Sequence, residues 1–475
     1  MMDAAPTARD FPERARDELG NARLQGVLSG IGLFLLARKL AVGALPEFEA
    51  LRDDAKRIKD HTLAHLDAYL ETFESQVIAS GGRVHWARTA DEACTVVSDI
   101  CHERGARKIL KGKSMVTEEI GLNDHLARQG LDVLETRLGD YITLSRNEPR
   151  SHIVPRAMHV SQDQVAETFR DAHGELSPDR TLDEAESLLA EAREVLREHF
   201  FSADVGITGA NFLVAETGSA IVVTNEGNGD LAMTLPACHI VVASIDKLVP
   251  TLHDATTLLR VLSRSVTGQD LATYTTFATG PRRDGEDVGP EAFHVVLVDA
   301  GRSHILGTEF RAALRCIRCS ACMNHCPVFG SVGGHAYGAI YPGPIGAVLN
   351  PALSSLSETQ HLPNATSVCG RCDEVCPVRI PLTDLMRAWR RRAFARALTP
   401  LPHRVWLGLW AMAARRPPVY RALTRITAAA LSAWAGRRQR LSWLPFLNGW
   451  AAVRDLPAPE GRTFLAQWRA RRDPS

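Results

Sequence analysis

Seven cysteines in two short runs carry the chemistry of this sequence. The first run is Cys316-Ile-Arg-Cys319-Ser-Ala-Cys322-Met-Asn-His-Cys326-Pro327, and the second is Cys369-Gly-Arg-Cys372-Asp-Glu-Val-Cys376-Pro377. The spacing C-x2-C-x2-C-x3-C-P wraps a loop around a cubane iron–sulfur cluster. Three thiolates two residues apart reach separate irons, and the fourth, before proline, is carried to a neighbouring cluster. Crossed ligation therefore groups Cys316, Cys319 and Cys322 with Cys376, and leaves Cys326, Cys369 and Cys372 for a second cluster. Zinc sites favour two pairs of ligands, and disulfides belong to oxidising compartments. Two adjacent clusters and an electron-transfer role are the expectation.

The second set is one thiolate short. A full repeat of the first run would place cysteine at position 366, where the chain has Thr366. A [3Fe–4S] cluster fits three thiolates. So does a [4Fe–4S] cluster with an oxygen, imidazole or external fourth ligand, for which Thr366 and His361 are nearby in sequence.

The chain that positions these runs has 475 residues, enough for two or three domains. Its 45% hydrophobic and 23% charged residues are those of an ordinary globular protein, and 55 basic residues balance 55 acidic ones. The balance is local only. From Arg387 onward the acids are Asp455, Glu460 and Asp473, set among many arginines. The same stretch holds Trp389, Trp406, Trp410, Trp434, Trp443, Trp450 and Trp468. Tryptophan and arginine together suit docking to a membrane surface or an acidic protein, whereas nucleic-acid binding lacks a recognition fold here. Cys94, Cys101 and Cys238 fall in regular patterns and are expected as buried structural thiols. With no basic leader running into an apolar core, the expected location is cytoplasmic, with peripheral contact at the inner membrane face.

Strand and helix patterns alternate over residues 46–305. Strands are expected at Arg83–Ala87, Lys108–Lys111, Asp132–Thr136, Ser151–Val154, Asp204–Thr208, Ser219–Thr224, His239–Ser244 and His294–Asp299. Helices are expected over Glu47–Ser80, Thr89–Glu103, Thr117–Gln129 and Leu182–His199. This alternation argues an α/β domain with a mostly parallel sheet. A helical extension over 1–45 precedes it, and its apolar run Gly26–Ala37, too short for the roughly 20 residues of a membrane span, reads as a buried packing segment, with a dip into a membrane as the alternative. Residues 306–390 read as an α-helical ferredoxin-like two-cluster domain, and 391–475 as a helical basic C-terminal region.

Two loops of the α/β domain could hold a ligand. Lys111–Ile120 turns from a strand into a helix that Ser114 and Thr117 could cap, with Lys111 and Lys113 adding positive charge. Gly206–Gly218 and Asn225–Gly229 bring Asn211, Glu216, Thr217, Asn225 and Asn228 to glycine-rich tips at strand ends, where open α/β sheets bind ligands. The chain lacks a G-x-G-x-x-G fingerprint, which argues against a dinucleotide.

Taken together, Asp60-His-Thr-Leu63, Lys113–Asn123, Glu216-Thr-Gly-Ser219, Cys316–Pro327, Pro342-Gly-Pro-Ile345 and Cys369–Pro381 resemble the lactate-utilisation protein B family. The resemblance implies an N-terminal LUD-type α/β domain, two [4Fe–4S] clusters on the cysteines grouped above, and a basic C-terminal region. It also implies work alongside two companion lactate-utilisation proteins in oxidising L-lactate to pyruvate, with this chain relaying electrons. A catalytic or anion-binding role for the α/β domain, or a scaffold with structural clusters, are the alternative expectations.

Overall fold

In the computed structural model of the chain, residues 7–442 and 455–472 are described. The α/β region contributes strands β1 (Arg83–Ala87), β2 (Lys108–Lys111), β3 (Asp132–Glu135), β4 (Val205–Thr208) and β5 (Phe212–Val214). After these come β6 (Ser219–Thr224), β7 (Cys238–Ser244), β8 (Leu248–Val249), β9 (Tyr274–Ala278) and β10 (Ala292–Val298). One sheet runs β1-β10-β7-β4-β2-β3 and is parallel throughout.

Every residue of β7 and β10 is buried, because helices or a second sheet cover both faces. Alternation along the strands divides them between two cores. Ile240, Val242, Val296 and Val298 pack with Ala93 and Val97 of the helix Ala90–Glu103. Val241, Ala243, Val295 and Leu297 pack with Phe73 and Val77 of the helix Leu66–Ala79. Thr89 caps the first of these helices by accepting from the Glu92 N–H. The three isolated cysteines lie buried in the first core, as expected.

Several expectations are corrected. A second sheet, β8-β5-β6-β9, places β5 as a strand inside the expected loop Gly206–Gly218; at three residues β5 is too short to show a period. Ser151–Val154 is not a strand. His152 bonds Asn324 Oδ1 at 2.9 Å and its Nδ1 accepts the Val154 N–H, so the segment folds against the first cysteine run instead of joining β3. The helix expected over Thr117–Gln129 divides into Met115–Glu119 and Leu122–Arg128 around Gly121, whose φ of 68° is left-handed. The run Gly26–Ala37 is not buried throughout. Helices Ala22–Leu28 and Ile31–Gly43 bury Leu24, Leu28, Ile31 and Ala41 but expose Leu33, Leu36 and Leu40. By length and composition, Ala22–Gly43 would suffice to cross a membrane.

The cysteine-bearing region is helical, with Gly343–Leu353 and Leu382–Ala395 as its longest pieces. Trp389, grouped above with a docking surface, belongs to its core. Its ring stacks on Phe310 at 3.8 Å between centroids, and its Nε1–H donates to the Val348 carbonyl at 3.0 Å. The N-terminal extension packs onto the glycine-rich loop between the two runs, placing the Phe11 ring 5.2 Å from Tyr337. All of this forms one compact unit ending at Ala393. Phe394–Ser475 forms another, with helices Leu401–Ala414 and Pro417–Ala435. Trp443 and Trp450 lie outside the described residues.

The seam between the α/β region and the inter-motif loop is tight at Gly334, where a Cβ would stand 1.7 Å from the Ser151 carbonyl oxygen. Gly330 faces open space. Gly334→Ala is expected to cost at least the roughly 1–3 kcal/mol of an overpacked core, and Gly330→Ala almost nothing, in melting measurements on the full chain.

Candidate functional site

The two cysteine runs share one backbone design. Arg318 and Ser320 flank Cys319 with φ of 59° and 63°, while Val368 and Gly370 flank Cys369 with φ of 55° and 79°. Left-handed residues on both sides of a cysteine turn the loop back on itself, a cost of the kind kept at functional sites. A short helix follows each, Ala321–Asn324 and Arg371–Val375. The repeat reaches the missing thiol. The Arg318 N–H donates to Cys316 Sγ at 3.4 Å, and the Val368 N–H donates to Thr366 Oγ1 at 3.0 Å. Thr366 therefore holds its oxygen in the same local turn that directs the Cys316 sulfur.

The thiols group by mutual influence. Burial raises Cys319 and Cys322 first, and Cys316 and Cys376 raise both further. Burial likewise raises Cys372 to about 12, with Asp373 and then Cys326 and Cys369 adding to it. Cys326 is raised by burial and by Cys369. Cys316, Cys319, Cys322 and Cys376 line one small pocket, and Cys372 lies close enough to Cys322 to influence it. Buried thiols in such company ionise only beside strong positive charge, which the irons of a cluster supply. The fully buried Tyr337 hydroxyl has no hydrogen-bond partner and lies under the influence of Cys326 and Cys322. An orphaned donor beside sulfur fits a cluster that can accept it. Of the seven cysteines, only Cys369 is exposed.

A buried charge network joins the first run to the α/β region. Asp246, just after β7, accepts from Arg302 Nε at 2.8 Å and faces Arg318 Nη2 at 3.5 Å. Arg302 also holds Glu119 through two contacts of 2.8 Å, and Tyr341 O–H donates to the same carboxylate at 2.6 Å. Burial pushes the Asp246 carboxyl up, but Arg318 and Arg302 outweigh it and hold it far below the usual range. On the other run, Arg52 donates to the Cys376 carbonyl at 2.8 Å and to the Glu374 carbonyl at 2.5 Å. None of these partners was foreseen. Their only sequence signal is an unremarkable scatter of acids and bases.

The loops expected to bind a ligand are partly rearranged. Lys111 does not face a ligand; it forms a buried ion pair with Glu135 at 2.5 Å. Glu216 accepts the Leu252 N–H and Thr217 pairs with Ser219, so both leave the expected cluster. Lys113, Asn211, Asn225 and Asn228 do meet at one cavity, which also reaches Lys247, Arg318 and Cys319.

A model of the LUD domain matches residues 70–298, and a model of a 4Fe-4S dicluster domain matches residues 312–380. Among curated proteins, the chain is 41% identical to the lactate utilization protein B of Bacillus licheniformis over 465 residues, 97% of each chain. It is 41% identical to the protein of that name from Bacillus subtilis, covering 98% of this chain and 97% of the relative. The corresponding figure for Shouchella clausii is 44%, over 90% of this chain and 89% of the relative.

Removing the Asp246 charge should be severe. Asp246→Asn leaves Arg318 buried without a carboxylate and Arg302 with Glu119 alone, a change expected to cost roughly 3–5 kcal/mol in denaturant titrations. Because the folded carboxyl is held below its unfolded value, its contribution is complete above about pH 4 and lost only in stronger acid. A variant as stable as the parent at pH 7 would contradict this role.

Proposed function

The chain belongs to the lactate utilization protein B family, and on that premise we propose that it is the electron-carrying iron–sulfur subunit of a system oxidising L-lactate to pyruvate. The observation that carries this reading is the division of seven thiols into two adjoining sets on a repeated backbone. Cys316, Cys319, Cys322 and Cys376 would hold one [4Fe–4S] cluster. Cys326, Cys369 and Cys372 would hold the second, with Thr366 Oγ1 as its fourth donor. When bound, such clusters supply one-electron transfer, and the protein sets their potential and surroundings.

The residues around the thiols serve that purpose. N–H groups of Arg318 and Ile380 donate to Cys316 and Cys376 Sγ, contacts of the kind that tune a cluster's potential. Arg318 and Arg38 bring positive charge towards Cys316 and Cys319. Phe329 and Tyr337 are fully buried and keep water from the inner side. The exposed Cys369 marks the side on which a companion protein would exchange electrons. In this reading the chain carries electrons, and its companions in lactate utilisation provide the substrate chemistry and the acceptor.

We assign the protein to the cytoplasm, in peripheral contact with the inner membrane face through its last unit. The helix Leu401–Ala414 buries none of its residues and exposes Trp406, Leu409, Trp410 and Met412. Arg415, Arg416, Arg421 and Arg425 follow closely, a composition suited to anionic headgroups.

Two measurements test these proposals. Cys319→Ser should remove one cluster's EPR signal, lower the iron content and abolish growth on lactate, while Thr366→Cys should alter only the other signal. Unchanged iron and growth in Cys319→Ser would contradict the ligand assignment. The full chain should sediment with phosphatidylglycerol vesicles and not with phosphatidylcholine vesicles, and salt should release it. Equal binding to both would remove the electrostatic argument.

A further inference from the structure

A cavity of about 160 Å³ opens at the carboxyl ends of β2, β4 and β7 and reaches Arg318 and Cys319 of the first cysteine run. Its charges are unbalanced. Lys247 is only 7% exposed and, among the described residues, makes no direct hydrogen bond or ion pair; its neighbour Asp246 acts on it at longer range, with both oxygens turned to Arg302 and Arg318. Arg137 points a buried Nη1 with no partner into the same region, and its Nε stands 3.6 Å from Glu226, a half-exposed carboxylate. Lys113, half-buried, likewise makes no hydrogen bond or ion pair among the described residues, with Asp140 and Glu118 as its more distant counter-charges. Cations gathered in such a space with few direct partners are costly. Burial and neighbouring cations pull Lys113 well below its ordinary value, and pull Lys247 to about 7. An anion in the cavity would remove that penalty.

The remaining walls restrict which anion fits. Met115, Val116, Ile153 and Val242 add apolar lining to the cationic groups. Its volume is close to the roughly 150 Å³ known to admit benzene, and below the roughly 300 Å³ at which drug-sized pockets begin. The ligand is therefore about six heavy atoms in size, charged at one end and apolar at the other. Inorganic phosphate matches the charge but not the apolar wall, and a nucleotide is too large.

We propose that this cavity is a binding site for one short-chain organic carboxylate of the 2-hydroxy or 2-oxo acid class, seated between Lys113, Lys247 and Arg137 beside Cys319. The choice of acid class rests on the lactate-utilisation reading; the site itself rests on the cavity and its unpaired cations. The substrate or product of the system would thus be sensed next to the first cysteine set, in the chain that carries the electrons. The site requires no bond to form or break.

Calorimetric titration of the anaerobically purified full chain with sodium lactate, sodium pyruvate and sodium phosphate tests this directly. One equivalent of lactate or pyruvate should bind, at least tenfold more tightly than phosphate, and should shift the EPR signal of the cluster nearest Cys319. Lys247→Met should weaken binding tenfold or more at unchanged iron content, and Lys247→Arg should restore most of it. Lys113→Met provides the same reading if Lys247→Met loses iron. No binding, phosphate binding as tight as carboxylate, or full affinity in both methionine variants would overturn the site. Because no companion protein or turnover is involved, this failure is separate from failure of the electron-carrying role. That role fails when lactate and companions leave the clusters oxidised, whatever the cavity binds.

Discussion

One buried carboxylate ties the two halves of this chemistry together. Asp246 follows the central strand β7, and its two oxygens meet Arg302 of the α/β region and Arg318 of the first cysteine run. It shares Arg302 with Glu119 and is the one carboxylate in the network that also meets Arg318. Arg318 in turn stacks over the Tyr341 ring at 4.9 Å and sits in a left-handed turn beside Cys319. The cysteine loop is thus held by the sheet through charge. Arg52, from the helix Phe48–Ala64, holds the other run by its carbonyls. A loop preorganised by fixed partners can present its thiols without reordering, which is what a site of low reorganisation requires.

This anchoring explains why a LUD domain and a dicluster domain share one chain. Cys319 lies on the wall of a cavity whose other walls are strand ends of the α/β region. The cavity at the strand ends and the first cysteine run are neighbours by construction. The N-terminal extension adds a cover: the Arg38 guanidinium donates to the Val375 carbonyl at 3.4 Å, and Leu24 packs against Gly333.

The parts of the fold that were legible are those with strong local patterns. β1, β2 and β6 have the bounds their local pattern predicts, and the buried strands β7 and β10 show as hydrophobic stretches broken by His239 and His294. The cysteine sets were legible because cluster ligation fixes their spacing. What was hidden depends on tertiary contact. Lys111 resembles a ligand-facing lysine until Glu135 is brought across from the next strand. Ser151–Val154 looks like a strand, yet its hydrogen bonds go to Asn324 and to itself. Lys247 gave no sequence signal at all, since its meaning arises only when Arg137 and Lys113 converge on the same space.

The central claim is that lactate-derived electrons enter these clusters by way of the companion proteins. Anaerobic EPR of the purified chain, recorded before and after adding L-lactate with and without those companions, tests it most directly. The account predicts oxidised clusters with lactate alone and reduced clusters, in two interacting signals, once the companions are present. Clusters that dithionite reduces but that lactate and companions together leave oxidised would contradict it.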